Sequence, residues 1–229
     1  MGPRVFSEMP EVPRAPPRWR QRLAQVAVAA AALAAGAITA PDGANGHPHV
    51  WISVVAELLY GPDGSITGLR QAWTFDEMFS AFATRGIEQK TSGTFTREEL
   101  APLAKTYMDG LKDYGYFTFV RLDGERQKDV FADPVDYFID YDPKQTAITV
   151  NFTLPLKTAA PGKSFEVQIY DPQLYFYLSF ARFDPVHLIG APAQCRPLVK
   201  TSADDAATTP DSIAGMVTTS TSTIWVKCP

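Results

Sequence analysis

Two of the chain's three histidines lie two residues apart, in the segment His47-Pro48-His49. Side chains at this spacing project to the same side of an extended segment. Pro48 fixes its own φ and has no backbone N–H, which stiffens the link between the histidines. It also excludes the copper-binding mode in which two backbone amides before a third-position histidine are deprotonated. Because imidazole-rich sites suit Cu, Ni, Co or Zn, the spacing predicts a transition-metal site at His47 and His49.

The segment that precedes these histidines has the layout of a secretory signal peptide. Residues 14–22 are basic, residues 23–35 are apolar except for one glutamine, and small residues follow. The apolar run is too short for a membrane span. Cleavage can follow residues 35–37 or residues 44–46, and the second position makes His47 the mature N-terminus, whose amine adds a nitrogen ligand. We expect an exported, periplasmic protein, with an uncleaved membrane anchor as the alternative.

The remaining histidine, His187, lies in the segment Asp184-Pro185-Val186-His187. We predict that it supplies a further metal ligand if the last strands return beside the first. Nitrogen ligands that leave one coordination position open are typical of transport or catalytic sites and not of closed structural ones.

Residues 88–99 have the length of an EF-hand loop, with Gly93 at position six and Glu99 at position twelve. The ligands differ from those of a calcium loop, since position one is Glu88, position three is Lys90 and position five is Ser92. A lysine at a coordinating position brings positive charge into the site. We therefore predict a degenerate EF-hand-like connector between two helices that does not bind calcium.

The only two cysteines are Cys195 and Cys228, near the end of the chain. In an oxidising compartment such a pair is most simply a disulfide, and free buried thiols are the alternative. A disulfide would pin residues 199–223, whose Ser-, Thr- and Ala-rich composition does not favour independent folding.

Residues 1–46 are expected to form an extension and signal peptide, and residues 47–229 a single exported domain. Its first strand starts near His49 and alternates a wholly apolar set, from Val50 to Leu58, with a mixed set. The predicted fold class is α+β, a mainly antiparallel, sandwich-like set of about seven or eight strands with two inserted helices. The predicted strands after the first are residues 66–75, 116–122, 137–141, 147–154, 165–170 and 174–183.

Two helix starts are visible in the sequence. Asp76 is a candidate N-cap for a short helix that carries Met78, Phe79 and Phe82 on one side. Thr96-Arg97-Glu98-Glu99 is a capping box, and apolar residues follow it at spacings of three and four.

Composition and motifs exclude several function classes. The formal net charge is −4, and the sequence contains no basic patch of the kind that binds nucleic acid. Motifs for a serine nucleophile elbow, a phosphate loop and a zinc protease helix are missing from the sequence. We therefore expect a non-enzymatic protein.

Several sequence blocks together resemble the bacterial exported family called domain of unknown function 1007. The blocks are residues 46–52, 73–82, 96–104, 114–118 and 170–172, and the likeness extends from residue 47 to about residue 195. The resemblance implies a periplasmic component of an ABC-type transport system that accompanies nickel/cobalt permeases.

Two functions are therefore expected from the sequence. The first is a periplasmic accessory protein that binds or handles a divalent transition metal through His47 and His49 and exchanges it with a membrane permease. The alternative is a metal-free interaction or scaffold module, in which the aromatic residues 170–180 and the first hairpin dock a membrane transporter.

Overall fold

The computed structural model describes residues 50–161, 165–202 and 221–227. The chain divides after Gly46 into two units, and all the described residues belong to the second, His47–Pro229. His47, His49, Cys228 and the predicted signal segment lie outside the described residues, so the predictions for them stay predictions. Among the described helices, none is long and apolar enough to cross a membrane.

The described part of the chain contains two helices and eleven strands. The helices are α1 (Glu77–Ala83) and α2 (Arg97–Lys112), and a short 3-10 turn follows at Gly115–Phe117. The strands are β1 (Val50–Tyr60), β2 (Ser65–Phe75), β3 (Thr118–Leu122), β4 (Glu125–Arg126), β5 (Val135–Asp142), β6 (Ala147–Pro161), β7 (Phe165–Ile169), β8 (Phe176–Phe180), β9 (Val186–Ile189), β10 (Arg196–Ser202) and β11 (Thr221–Lys227).

The strands form two sheets. The first has the order β5-β6-β2-β1-β8, with β9 also paired to β1, and the second has the order β10-β11-β7-β3-β4. Most neighbours are antiparallel, which confirms the predicted α+β class with a sheet-rich domain and two helices. However, β8 and β9 both run parallel to β1. A parallel pair needs a long crossover, and the whole chain between β1 and β8 supplies it.

Strand β1 has the predicted alternation. Its even-numbered residues from Val50 to Leu58 are buried and its odd-numbered residues face outward. Apolar residues at a period of two give a strand one buried face, which fixes its orientation in the sheet. A turn at residues 61–64 joins β1 to β2, and Gly64 adopts a positive φ of 79° that glycine tolerates without strain.

Both helices begin at the predicted caps. The Asp76 carboxylate accepts a hydrogen bond from the Phe79 N–H at 2.8 Å and another from the Trp51 N–H at 3.0 Å, so it joins α1 to β1. Of the three large apolar residues predicted on one side of α1, Met78 and Phe82 are 71% and 70% exposed. Phe79 alone of these packs against the core.

The α2 capping box is complete, because the Thr96 side chain accepts from the Glu99 N–H and the Glu99 carboxylate accepts from the Thr96 N–H. The helix ends at Lys112. Tyr116 and Phe117, predicted as the start of a strand, instead form a left-handed turn with φ values of 54° and 47°.

The inner faces of the two sheets share one cluster of buried apolar residues. A chain of buried polar groups crosses this core. The Trp73 Nε1–H donates to Gln71 Oε1 at 2.9 Å, and Gln71 Nε2 donates to Thr118 Oγ1 at 3.0 Å. Gln71 lies in β2 of the first sheet and Thr118 in β3 of the second. Their hydrogen bond therefore joins the two sheets across the core.

Candidate functional site

A cleft of about 520 Å³ opens at the end of the domain where β1 begins. Strands β1 and β2 contribute its floor, α1 and α2 one wall, and the loop between β7 and β8 the other. The lining residues are Val50, Ile52, Trp73, Phe75, Phe79, Thr106, Tyr107, Gly110, Leu111, Tyr114, Phe117, Asp171, Gln173, Tyr175 and Phe176. Its volume lies within the range of roughly 300–1,000 Å³ that is usual for small-molecule sites.

The helical wall of the cleft is aromatic. The rings of Phe75 and Phe79 stack with centroids 4.8 Å apart, and the Tyr107 ring lies 6.2 and 6.5 Å from them. Burial raises the pKa of the Tyr107 hydroxyl to about 12, so this hydroxyl stays protonated at physiological pH. Within the described part of the chain, it has no hydrogen-bond partner.

The opposite wall is held by Asp171, which is only 3% exposed. Its carboxylate accepts hydrogen bonds from the backbone N–H groups of Gln173, Tyr175 and Phe176 at 2.9, 3.0 and 3.1 Å. An Asp side chain often closes a turn in this way, by bonding to the backbone that follows it. Since its oxygen atoms are engaged, Asp171 shapes the cleft and is not a free anionic group.

The left-handed turn at Gly115–Phe117 completes the floor. Positive φ is unusual for bulky residues such as Tyr116 and Phe117, and each such residue costs of order 1–3 kcal/mol. The turn places the Phe117 ring between Tyr114 and Phe176, at centroid distances of 5.5 and 5.6 Å. Strained backbone of this kind concentrates at functional sites, which supports the cleft as a candidate site.

The predicted metal site adjoins this cleft in the sequence. His49 lies outside the described residues, and the next residue, Val50, lines the cleft. The N–H of Trp51 donates to Asp76, while the Trp51 carbonyl accepts from the Asp76 N–H at 3.0 Å. Both backbone polar groups of Trp51 are therefore bonded to Asp76, and β1 is paired with β2 and β8 from its first residues onward.

His187 lies on β9, where it pairs in register with Glu57 of β1. Its Nδ1 atom is 3.7 Å from Asp184 Oδ2, whereas Glu57 is engaged by Arg70 at 2.6 Å. Glu57 is six residues beyond Trp51, or about 20 Å along the strand. A metal site that His187 shares with His49 therefore requires the chain before Val50 to turn back along β1. In the described ranges, no three His, Cys, Asp or Glu residues are grouped so as to hold an ion.

The connector between α1 and α2 is closed by Glu99. Its carboxylate accepts from the backbone N–H of Lys90 at 2.6 Å and from that of Thr96 at 2.7 Å. These bonds hold the pKa of the Glu99 carboxyl below its usual value. Glu88 and Ser92 are exposed at the other candidate positions.

Cys195 is 4% exposed and disulfide-bonded. Strands β10 and β11 are paired in a register that brings Arg196 opposite Lys227, one residue from each cysteine. The predicted partner, Cys228, lies outside the described residues, and the pairing stays a prediction that this register supports.

A family model described as "Protein of unknown function (DUF1007)" matches residues 30–222. The chain belongs to this family. The match confirms the resemblance drawn from the sequence blocks, whereas the transport role implied by that resemblance stays a prediction. Among curated proteins, none matches the chain. The DUF1007 match includes every residue that lines the cleft.

Sequence reasoning missed the cleft of this DUF1007 protein. Its residues come from four separate segments, 50–52, 73–79, 106–117 and 171–176, and only the three-dimensional arrangement of the two sheets and the helices brings them together. One signal was available in the sequence: Gly110 lies inside a strongly patterned helix, where glycine is unfavourable.

Proposed function

We propose that this DUF1007 protein is a non-enzymatic, periplasmic accessory protein that binds a divalent transition metal as cargo at His47 and His49. The observation that carries the proposal is the rigid start of β1 directly after His49. Odd-numbered residues of β1 face outward. If the strand alternation continues one residue before Val50, the His49 side chain faces outward as well. A ligand next to an anchored strand loses little conformational freedom on binding, which favours metal affinity.

The direct test is calorimetric titration of the exported protein with Ni(II), Co(II), Cu(II) and Zn(II). We expect one binding event that disappears in the double variant His47→Ala, His49→Ala. The matched control is His187→Ala, which removes the third histidine and should weaken binding less. Affinity should fall as the pH drops below about 6.5, because protonated imidazole cannot bind a metal.

Equal binding by the wild type and the double variant would end the metal proposal. Equal losses from His187→Ala and from the double variant would instead mean that all three histidines share one ion. The N-terminal sequence of the exported protein separates an amine-plus-imidazole site, with His47 first, from two separate imidazoles.

The proposed partner is a membrane metal permease or a component of an ABC-type transporter, as the family resemblance implies. The alternative function is a metal-free scaffold for that transporter. It draws support from Tyr175, which is 49% exposed at the rim of the cleft within the aromatic segment 170–180. Co-purification of a permease subunit by a variant without His47 and His49 would favour the scaffold.

We further propose that the connector at residues 88–99 is a degenerate EF-hand that holds no calcium. The supporting observation is that both Glu99 oxygen atoms accept backbone hydrogen bonds, whereas a calcium loop uses the glutamate at position twelve as a bidentate ligand. Glu99 thus serves the capping box and the loop closure.

Millimolar calcium should therefore leave the thermal midpoint of unfolding unchanged relative to the protein in chelator. A ligand that binds only the native state must raise that midpoint, so differential scanning calorimetry checks the prediction directly. Magnesium is the control for nonspecific divalent effects. A rise with calcium that magnesium does not reproduce would show the proposal to be wrong.

A further inference from the structure

We propose that the cleft beside β1 binds a small, uncharged, ring-containing apolar molecule. The proposal uses none of the proposed metal ligands and does not depend on them. The chemistry of its walls, the shape of its floor and an unexplained glycine in α2 support the proposal.

The shape favours a small molecule over a protein surface. The floor residues Ile52, Trp73 and Phe117 are 2%, 1% and 4% exposed, although all three line the cleft. The floor lies below rim residues such as Tyr114 and Tyr175, which are 53% and 49% exposed. A small ring system can enter a concave space of this size, whereas a flat protein face would contact mainly its rim.

The charge of the lining favours an uncharged ligand. Among the described residues, no Lys, Arg, His or Glu lines the cleft, and the one carboxylate, Asp171, is engaged by three backbone N–H groups. An anionic ligand would find no cationic side chain among these residues, and a cationic ligand would find only Asp171, whose carboxylate is 3% exposed and turned toward three backbone N–H groups. A ligand of either charge would therefore lose hydration that the cleft does not fully replace, and that loss is costly.

The aromatic walls favour a ring. Phe79, Tyr107 and Phe176 all line the space, and aromatic pairs gain energy beyond their buried area in offset or edge-to-face geometry. The Tyr107 hydroxyl, unpaired within the described residues, can donate one hydrogen bond to a weak acceptor on the ligand.

Gly110 is the observation that singles out the cleft as a binding site. It lies inside α2 without a positive φ, and a Cβ atom added there would meet nothing within 4 Å. Neither backbone geometry nor close packing therefore requires glycine, which destabilises the interior of a helix relative to alanine. The missing side chain leaves the cleft open beside Tyr107 and Tyr114, and a binding site explains why the helix carries this cost.

Titration of the full chain with N-phenylnaphthylamine tests the proposal. This uncharged dye carries a phenyl and a naphthyl group, and it fluoresces strongly in apolar sites. We expect saturable binding with one dye per chain. The matched probe is anilinonaphthalenesulfonate, which adds an anionic sulfonate to the same skeleton, and it should bind at least tenfold more weakly.

Gly110→Leu should weaken binding of the uncharged dye at least tenfold by filling the cleft, while Gly110→Ala should change it less than threefold. Both variants should melt at or above the wild-type temperature, since each improves helix propensity. Thr106→Phe, at an exposed lining position one turn earlier, is a second blocking variant if Gly110→Leu fails to fold.

Four results would overturn the proposal. The first three are the lack of saturable dye binding to the wild type, equal binding by folded blocking variants, and equal affinity for the anionic probe. The fourth is dye binding that appears only after removal of residues 1–46, because the chain's own apolar segment would then be the occupant.

Discussion

Replacement of Trp73 by alanine should lower the free energy of unfolding by about 4 kcal/mol, since large aromatic truncations in a core cost 3–5 kcal/mol. Trp73 is 1% exposed, and its ring meets that of Phe152 edge to face at a centroid distance of 5.1 Å. The substitution removes this packing and leaves Gln71 Oε1 without its donor. Chemical denaturation of the wild type and the variant, followed by tryptophan fluorescence and circular dichroism, measures the loss.

A double-mutant cycle separates the packing of Trp73 from its hydrogen bond. Gln71→Leu leaves the buried Nε1–H of Trp73 unsatisfied, which should cost about 2 kcal/mol. In a Trp73→Phe background that donor is gone, so the same Gln71→Leu change should cost less. Additive losses would show that the hydrogen bond between Trp73 and Gln71 adds no coupling energy.

The fold elements that the sequence predicts well are those whose determinants are local. The alternation of β1 from Val50 onward sets its buried face, and the Thr96–Glu99 capping box sets the start of α2. Each signal comes from residues close in sequence, and tertiary packing reinforces it.

The parts that sequence reasoning missed depend on distant partners. The parallel pairing of β8 and β9 with β1 cannot be read from strand periodicity, which is the same for parallel and antiparallel neighbours. Tyr116 and Phe117 have high strand propensity but form a left-handed turn, because packing around Phe176 and Thr118 overrides local preference.

The candidate site shows the same division. The His47-Pro48-His49 spacing is a local pattern and yields a specific metal hypothesis. The cleft at Val50 requires two sheets and α2 to meet, so the aromatic residues that line it read in the sequence as ordinary core positions.

Loss of the Cys195 disulfide should lower the free energy of unfolding by about 4 kcal/mol, the entropy estimate for a loop of some thirty residues closed by Cys228. Its location at the end of the paired strands β10 and β11 means that the bond restrains β11, which lies between β10 and β7 in the second sheet. Without it, β11 must find its two neighbours across the long segment 203–220.

The partner of Cys195 follows from comparing three variants by chemical denaturation. If Cys195 pairs with Cys228, then Cys195→Ala, Cys228→Ala and the double variant should all lose nearly the same stability, because each removes the same single loop constraint. Reductant should lower the free energy of unfolding of the wild type to that of the variants, and it should leave the free energy of unfolding of the variants unchanged. Separate, additive losses, or a wild type indifferent to reductant, would show that the two cysteines stabilise the protein as buried side chains and not as one covalent link.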